Sequence, residues 1–147
     1  MMSTPSWFEA LSWSPAVAVE QLRQDRSGIP ASSGVYVFTN YLGALQRNTG
    51  VLYVGKAKSL AKRLGSYLAD PAELQVFSSR TPGRISTSLR HAGKVQLLVE
   101  MQQKSRDGRP CGMWLRWTLS ASPVALESQL IQYLQPAYNS QGLDTND

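Results

Sequence analysis

Gly34-Val35-Tyr36-Val37-Phe38 and Val51-Leu52-Tyr53-Val54-Gly55, the second running on through Lys56-Ala57-Lys58-Ser59 into Leu60-Ala61-Lys62-Arg63-Leu64-Gly65-Ser66-Tyr67-Leu68, read as strand, strand and helix. Turn-forming Asn40, Gly43, Asn48 and Gly50 separate the two strands. In each strand the tyrosine is flanked by aliphatic residues. Alternation then predicts Val35, Val37, Leu52 and Val54 on one face, with Tyr36 and Tyr53 on the other. Pairing as a hairpin would set the two phenols side by side on one surface.

Ser59 suits a helix N-cap. Leu60, Leu64 and Leu68 recur at four-residue intervals and should dock on the sheet, while Arg63 and Tyr67 occupy a neighbouring stripe. A guanidinium and a third phenol are therefore expected beside the tyrosine-bearing strands. Gly55 suits a strand-to-helix turn at which a bulkier residue would obstruct a ligand.

The 147 residues suffice for one domain with a real core, and the hydrophobic share of 42% is ordinary for a globular protein. A single cysteine, Cys111, excludes an intrachain disulfide and cysteine-rich zinc clusters and fits a reducing compartment. Without a basic-then-apolar leader or a membrane-length apolar run, the expectation is a soluble cytoplasmic protein with no membrane partner. The net charge is +5, and from Arg47 to Arg116 thirteen Lys/Arg face four Asp/Glu. Such a surplus attracts polyanions, nucleic acid foremost, although charge by itself also serves solubility. Lys58, Lys62, Arg84, Arg90, Lys94, Lys104, Arg106 and Arg109 are the expected nucleic-acid contacts.

Residues 1–32 read as an extension with one or two short helices, over Trp7–Leu11 and Ala16–Leu22. In the stretch 69–121, read as an insertion, Pro82–Gly93 suits a helix, and Val95–Met101 and Met113–Leu119 have strand character, with helix an alternative for the former. Lys104–Arg109 would be a basic hairpin tip. The closing helix has Ser122 as cap, Pro123 at the first helical position, Pro136 as stop and Leu126, Leu130 and Leu134 as core stripe. Glu127, between Val124 and Ile131 on the helical surface, needs a partner, for which a metal ion or Arg63 would serve.

The set Gly34-Val35-Tyr36, Tyr53-Val54-Gly55-Lys56-Ala57, Arg63, Tyr67, Ala125-Leu126-Glu127 and Pro136-Ala137-Tyr138-Asn139 resembles the GIY-YIG nucleases, in the form found at the N-terminus of the excision-repair protein UvrC. Residues 33–68 and 122–140 carry the likeness, including the offsets from Tyr53 to Lys56, Arg63 and Tyr67 and the twelve-residue step from Glu127 to Asn139. One such tripeptide is weak; the ordered set is specific. The resemblance implies a small α/β (α+β) fold: a central antiparallel sheet of three strands, open to an added strand, flanked by helices. It also implies metal-dependent hydrolysis of DNA phosphodiesters to 5′-phosphate and 3′-hydroxyl ends. Two departures stand out. The spacing between Tyr36 and Tyr53, and that between Tyr67 and Glu127, are both longer than in the repair nuclease.

The residue types suit that chemistry. Glu127 by itself can hold Mg²⁺, with Mn²⁺ as substitute, because the ion keeps several waters and borrows substrate oxygens. Hydrolysis needs a base, and a phenol with pKa near 10 needs a nearby cation to serve; Lys56 stands three residues beyond Tyr53. Tyr36 and Tyr53 are both candidates. Arg63 would clamp the phosphoryl oxygens, and Tyr67 and Asn139 would orient groups by hydrogen bonds. Taken singly, these tyrosines also suit half-buried strand positions, and Lys56, Arg63 and Glu127 suit solvated surfaces. His91 lacks a partner at metal or triad spacing, and Met101, Met113, Trp114 and Trp117 suit a core. The competing readings are a non-catalytic nucleic-acid-binding module on the same scaffold and a protein-interaction domain. DNA is the expected partner, with dimerisation or a targeting protein as open alternatives, and repair, restriction and mobile-element roles all fit.

Overall fold

The computed structural model describes residues 4–65, 68, 97 and 112–139. Its centre is an antiparallel sheet of β1 (Val17–Ala18), β2 (Gly34–Thr39), β3 (Val51–Ala57) and β4 (Trp114–Leu119), in the order β1-β4-β2-β3. The helices are α1 (Ser6–Glu9), α2 (Val19–Gln24), α3 (Leu60–Gly65) and α4 (Pro123–Leu134). β2 is inner, and all six of its residues are buried. Its β-branched and aromatic side chains fill both faces of the pleat, which suits a strand with neighbours on each side and helices above and below.

The added strand comes from the N-terminal extension. Ala16–Leu22 reads as helix from its apolar content, but Val17 and Ala18 pair with Leu115 and Trp114 before α2 begins. Two residues of sheet pairing override helix propensity there because β4 presents an open edge. The expected strand at Met113–Leu119 is β4, whose register with β2 runs from Gly34↔Leu119 to Thr39↔Trp114. Of the segment 95–101, Leu97 is described; it is helical and fully buried, in line with the helix alternative. Pro82–Gly93, the hairpin tip at Lys104–Arg109, His91, Met101 and Cys111 lie outside the described residues.

Two apolar layers sandwich the sheet. Val35, Val37, Val51 and Val54 pack on Leu126, Leu130 and Leu134 of α4, with Trp7 and Phe8 of α1 beside Tyr133. Tyr36, Phe38 and Leu115 pack against Val19 and Leu22 of α2 and Leu60 and Leu64 of α3, with Leu68 and Leu97. The expected leucine stripes of both helices are thus buried. Leu52 departs from simple alternation. The register slips between Phe38 and Thr39, so Val51 joins the valines and Leu52 the cluster of the tyrosines.

The long connection from β2 to β3 is held at several points. Asn48 (φ 55°) and Gly50 (φ 65°) take left-handed backbone conformations. Arg116 Nη2 donates to the Gly43 carbonyl at 2.6 Å, Tyr41 Oη donates to the Ala44 carbonyl, and Asn48 N donates to the last residue of α4. Burial pushes the Arg116 guanidinium below its usual range, opposed by Tyr41.

Candidate functional site

β2 and β3 form the predicted hairpin, with Tyr36 opposite Gly55 and Phe38 opposite Tyr53. Alternation places both tyrosines on the same face, ring centroids 6.5 Å apart. They are not equivalent. Tyr36 is 1% exposed and belongs to the core, whereas Tyr53 is half-buried. The expected surface pair of phenols is therefore one interior ring and one accessible ring. Gly55 explains the packing: it lies within β3, and a Cβ there would overlap the hydroxyl end of Tyr36. Its missing side chain makes room for the tyrosine, rather than for a ligand at a turn.

One residue on, Lys56 lies opposite Val35 and so on the valine face, covered by α4. The expectation of Lys56 as the cation beside the Tyr53 phenol is thereby corrected. Its ammonium instead lies 3.4 Å from Oε1 of Glu127, one turn into α4. The partner foreseen for Glu127 was a metal or Arg63, and the expected apolar flank is incomplete, since Val124 is exposed and Ile131 half-buried. The side chains of Lys56 and Glu127 are 43% and 19% exposed, so the pair sits at the rim and adds little to stability.

The strand ends are fixed around this rim. Ser33 Oγ donates to the Ser120 carbonyl at 2.6 Å and Ser120 N returns a bond to the Ser33 carbonyl, joining the entry of β2 to the exit of β4. Ser59 accepts from Lys62 N at 3.4 Å, the weak cap expected of it, and Leu60 N and Ala61 N donate to the carbonyls of Ser32 and Pro30. Ser122 differs from expectation. Its side chain makes no capping bond; its carbonyl accepts from Leu126 N, and Pro123 starts the helix. Between these ends opens a depression of about 860 Å³ lined by Ser33, Lys56, Ala57, Lys58, Ser59, Lys62, Arg63, Ala121, Pro123 and Val124. Three chain segments thus bring Lys56, Arg63 and, through its ion pair, Glu127 to one place.

Asn139 reaches the backbone of β3. Its Oδ1 accepts from Val54 N at 2.7 Å and its Nδ2 donates to the Val54 carbonyl at 2.9 Å. With Ala137 N and Tyr138 N bonded to the Val51 and Leu52 carbonyls, it covers the outer edge of β3. The hydrogen bonds expected of this amide thus include two to the strand that carries Tyr53 and Lys56. Of the expected nucleic-acid contacts, Lys58 and Lys62 are exposed at the depression, while Arg84, Arg90, Lys94, Lys104, Arg106 and Arg109 lie outside the described residues, as does Tyr67, expected to orient reacting groups. Sequence reasoning passed over Ser33, Ala121 and Val124. They carry no motif, and their place emerges only when β2 and β4 pair.

Among the described residues, no three His, Cys, Asp or Glu side chains gather as a metal cage. The donor set still fits one hydrated hard cation: the Glu127 carboxylate at the rim has two oxygens and several lone pairs, and Mg²⁺ keeps several of its own waters. No described helix is long and apolar enough to cross a membrane.

A family model for the UvrC-like GIY-YIG domain matches residues 32–104. A UvrABC system protein C from Campylobacter jejuni subsp. doylei is 32% identical over 82% of this chain and 16% of its own length. Its counterpart from Chlorobium luteolum is 26% identical over 81% of this chain and 14% of its own. The chain thus spans about a sixth of the curated relatives it matches. The GIY-YIG N-terminal endonuclease domain of UvrC from Thermotoga maritima, solved with magnesium as its catalytic divalent cation, aligns over 82% of this chain and 97% of its own, with 24% identity and a TM-score of 0.44.

Proposed function

The chain belongs to the GIY-YIG superfamily, resembling the N-terminal nuclease domain of UvrC, and from that premise we propose that it is a divalent-metal-dependent DNA endonuclease. In this reading it hydrolyses a phosphodiester to 5′-phosphate and 3′-hydroxyl ends, in DNA repair. The observation that supports it most is that Lys56, from the end of β3, and Arg63, from α3, line one depression, with Glu127 of α4 3.4 Å from the Lys56 ammonium.

Lys56 and Arg63 neutralise the phosphate bearing the scissile bond, and the guanidinium fork of Arg63 suits two non-bridging oxygens as negative charge builds on them. Glu127 is the residue that would hold Mg²⁺ or Mn²⁺, an ion that supplies charge relief at the leaving oxygen or a more acidic water. Lys56 yields part of its contact with that carboxylate and turns toward phosphate, its mixed exposure permitting the swing. Tyr53 is the phenol with access and is assigned the proton-accepting role; Tyr36 packs beneath it. Asn139 is a positioning residue, keeping the strand that carries Tyr53 and Lys56 in register.

The test is nicking of supercoiled plasmid in Mg²⁺, in Mn²⁺ and in excess chelator. Glu127→Ala should abolish nicking while DNA affinity and melting temperature hold. Nicking by that variant, or by wild type in chelator, would reject the metal-dependent reading. Salt-sensitive DNA binding without scission in any divalent metal would favour the non-catalytic module.

A further inference from the structure

Beyond phosphate neutralisation, and resting on the reading of the protein as one that acts on DNA, we propose that the depression between α3 and the start of α4 takes an unpaired nucleotide of the DNA strand, its base turned out of the stack. Two observations in one place carry this. The first is charge: Lys56, Lys58, Lys62 and Arg63 line the depression, and the one acid the described ion pairs bring to it, Glu127, faces Lys56 at the rim. The cations outnumber that acid, and such a local positive surplus favours an anion with repeated charges.

The second is apolar surface where phosphate does not need it. Ala121, Pro123 and Val124, at the start of α4, give the depression an apolar wall, and Val124 is 63% exposed. A phosphate-only groove gains nothing from that wall, whereas the flat face of a base does. The α4 amides next to Pro123 add a positive end to the same wall. Stacked bases inside a duplex keep their faces covered, so the occupant that satisfies both halves is a nucleotide with its base free. The consequence is selectivity for DNA that is bulged, gapped or frayed next to the cut.

The test is done in chelator, so that cleavage plays no part. Fluorescence anisotropy compares a fully paired duplex with the same duplex carrying one bulged 2-aminopurine nucleotide. The bulged duplex should bind about tenfold more tightly and its 2-aminopurine emission should change on binding. Val124→Ser, at an exposed position, should bring the bulged duplex close to the affinity of the paired one, which itself holds steady. The pair Lys58→Ala and Lys62→Ala should weaken both duplexes. Equal affinity for the two duplexes in wild type, or a preference that survives Val124→Ser, overturns the proposal. Plasmid nicking without the preference defeats this inference alone; the preference without nicking in any metal defeats the hydrolytic reading alone.

Discussion

Asn139→Ala tests whether this residue works through the strand it holds. Val54 is fully buried, and its N–H and C=O point away from β2 to meet the Asn139 amide at 2.7 and 2.9 Å. Removing the side chain strands one donor and one acceptor. Each buried group left unpaired costs about 1–3 kcal/mol, and the position at the sheet edge, where water can partly replace the amide, keeps the total near the lower end, about 2–3 kcal/mol. For a domain of this size that is roughly 4–12 °C in melting temperature. Asn139→Asp separates a clamp from a ligand. It keeps an oxygen to accept from Val54 N but turns a second oxygen toward the Val54 carbonyl, so a clamp predicts a loss at least as large as that of the alanine. A residue acting by binding a cation would instead keep or gain function as aspartate. Calorimetry with amide exchange at Val54 reads the outcome. An unchanged melting temperature with an unchanged Val54 exchange rate in the alanine variant would refute the reasoning.

Tyr53→Phe should reduce plasmid nicking far more than Tyr36→Phe, measured as single-turnover rates at equal DNA saturation; equal losses would remove the distinction drawn from their exposure. Gly55→Ala should destabilise the domain by about 1–3 kcal/mol, because the added methyl meets the Tyr36 ring end inside a packed sheet, and thermal melts would show it. Lys56→Met should change stability by under about 1 kcal/mol, since the ion pair is at the rim, yet lower the nicking rate. Arg116→Met should cost about 1–3 kcal/mol and speed amide exchange across residues 40–50, as the buried donor to the Gly43 carbonyl is lost.

Much of the fold was legible because local signals agree with tertiary ones. The two strands, the helix after them and the closing helix each combine periodicity with a turn or stop residue, and Leu60, Leu64, Leu126, Leu130 and Leu134 are buried as their spacing requires. What escaped were the effects of pairing. The slip between Phe38 and Thr39 moved Leu52 to the other cluster, and the β4 edge drew Val17–Ala18 out of the helix their neighbours suggest. The site was legible as a set of residue types but not as an arrangement. Alternation, the rule that placed the two tyrosines together, also separates Lys56 from Tyr53, because three steps along a strand reverse the face.

That reversal bears on how the domain divides its work. Lys56 and Glu127 meet on the α4 side, the tyrosines lie on the side of α2 and α3, and Gly55, between Tyr53 and Lys56 in sequence, leaves the space that Tyr36 fills. Charge and phenol are therefore set by two separately packed layers whose relative position depends on the register of β3. Asn139 fixes that register from outside the sheet, and β2 fixes it from within. In the proposed reading, a residue five positions beyond α4 acts on the chemistry through the strand it holds. Loosening it should lower the nicking rate at temperatures where the domain is still folded, and Lys56 and Tyr53 variants made in that background should lose less than they do in wild type, since the geometry they depend on is already relaxed. Fully additive losses in such double variants would show that strand register and catalysis are independent.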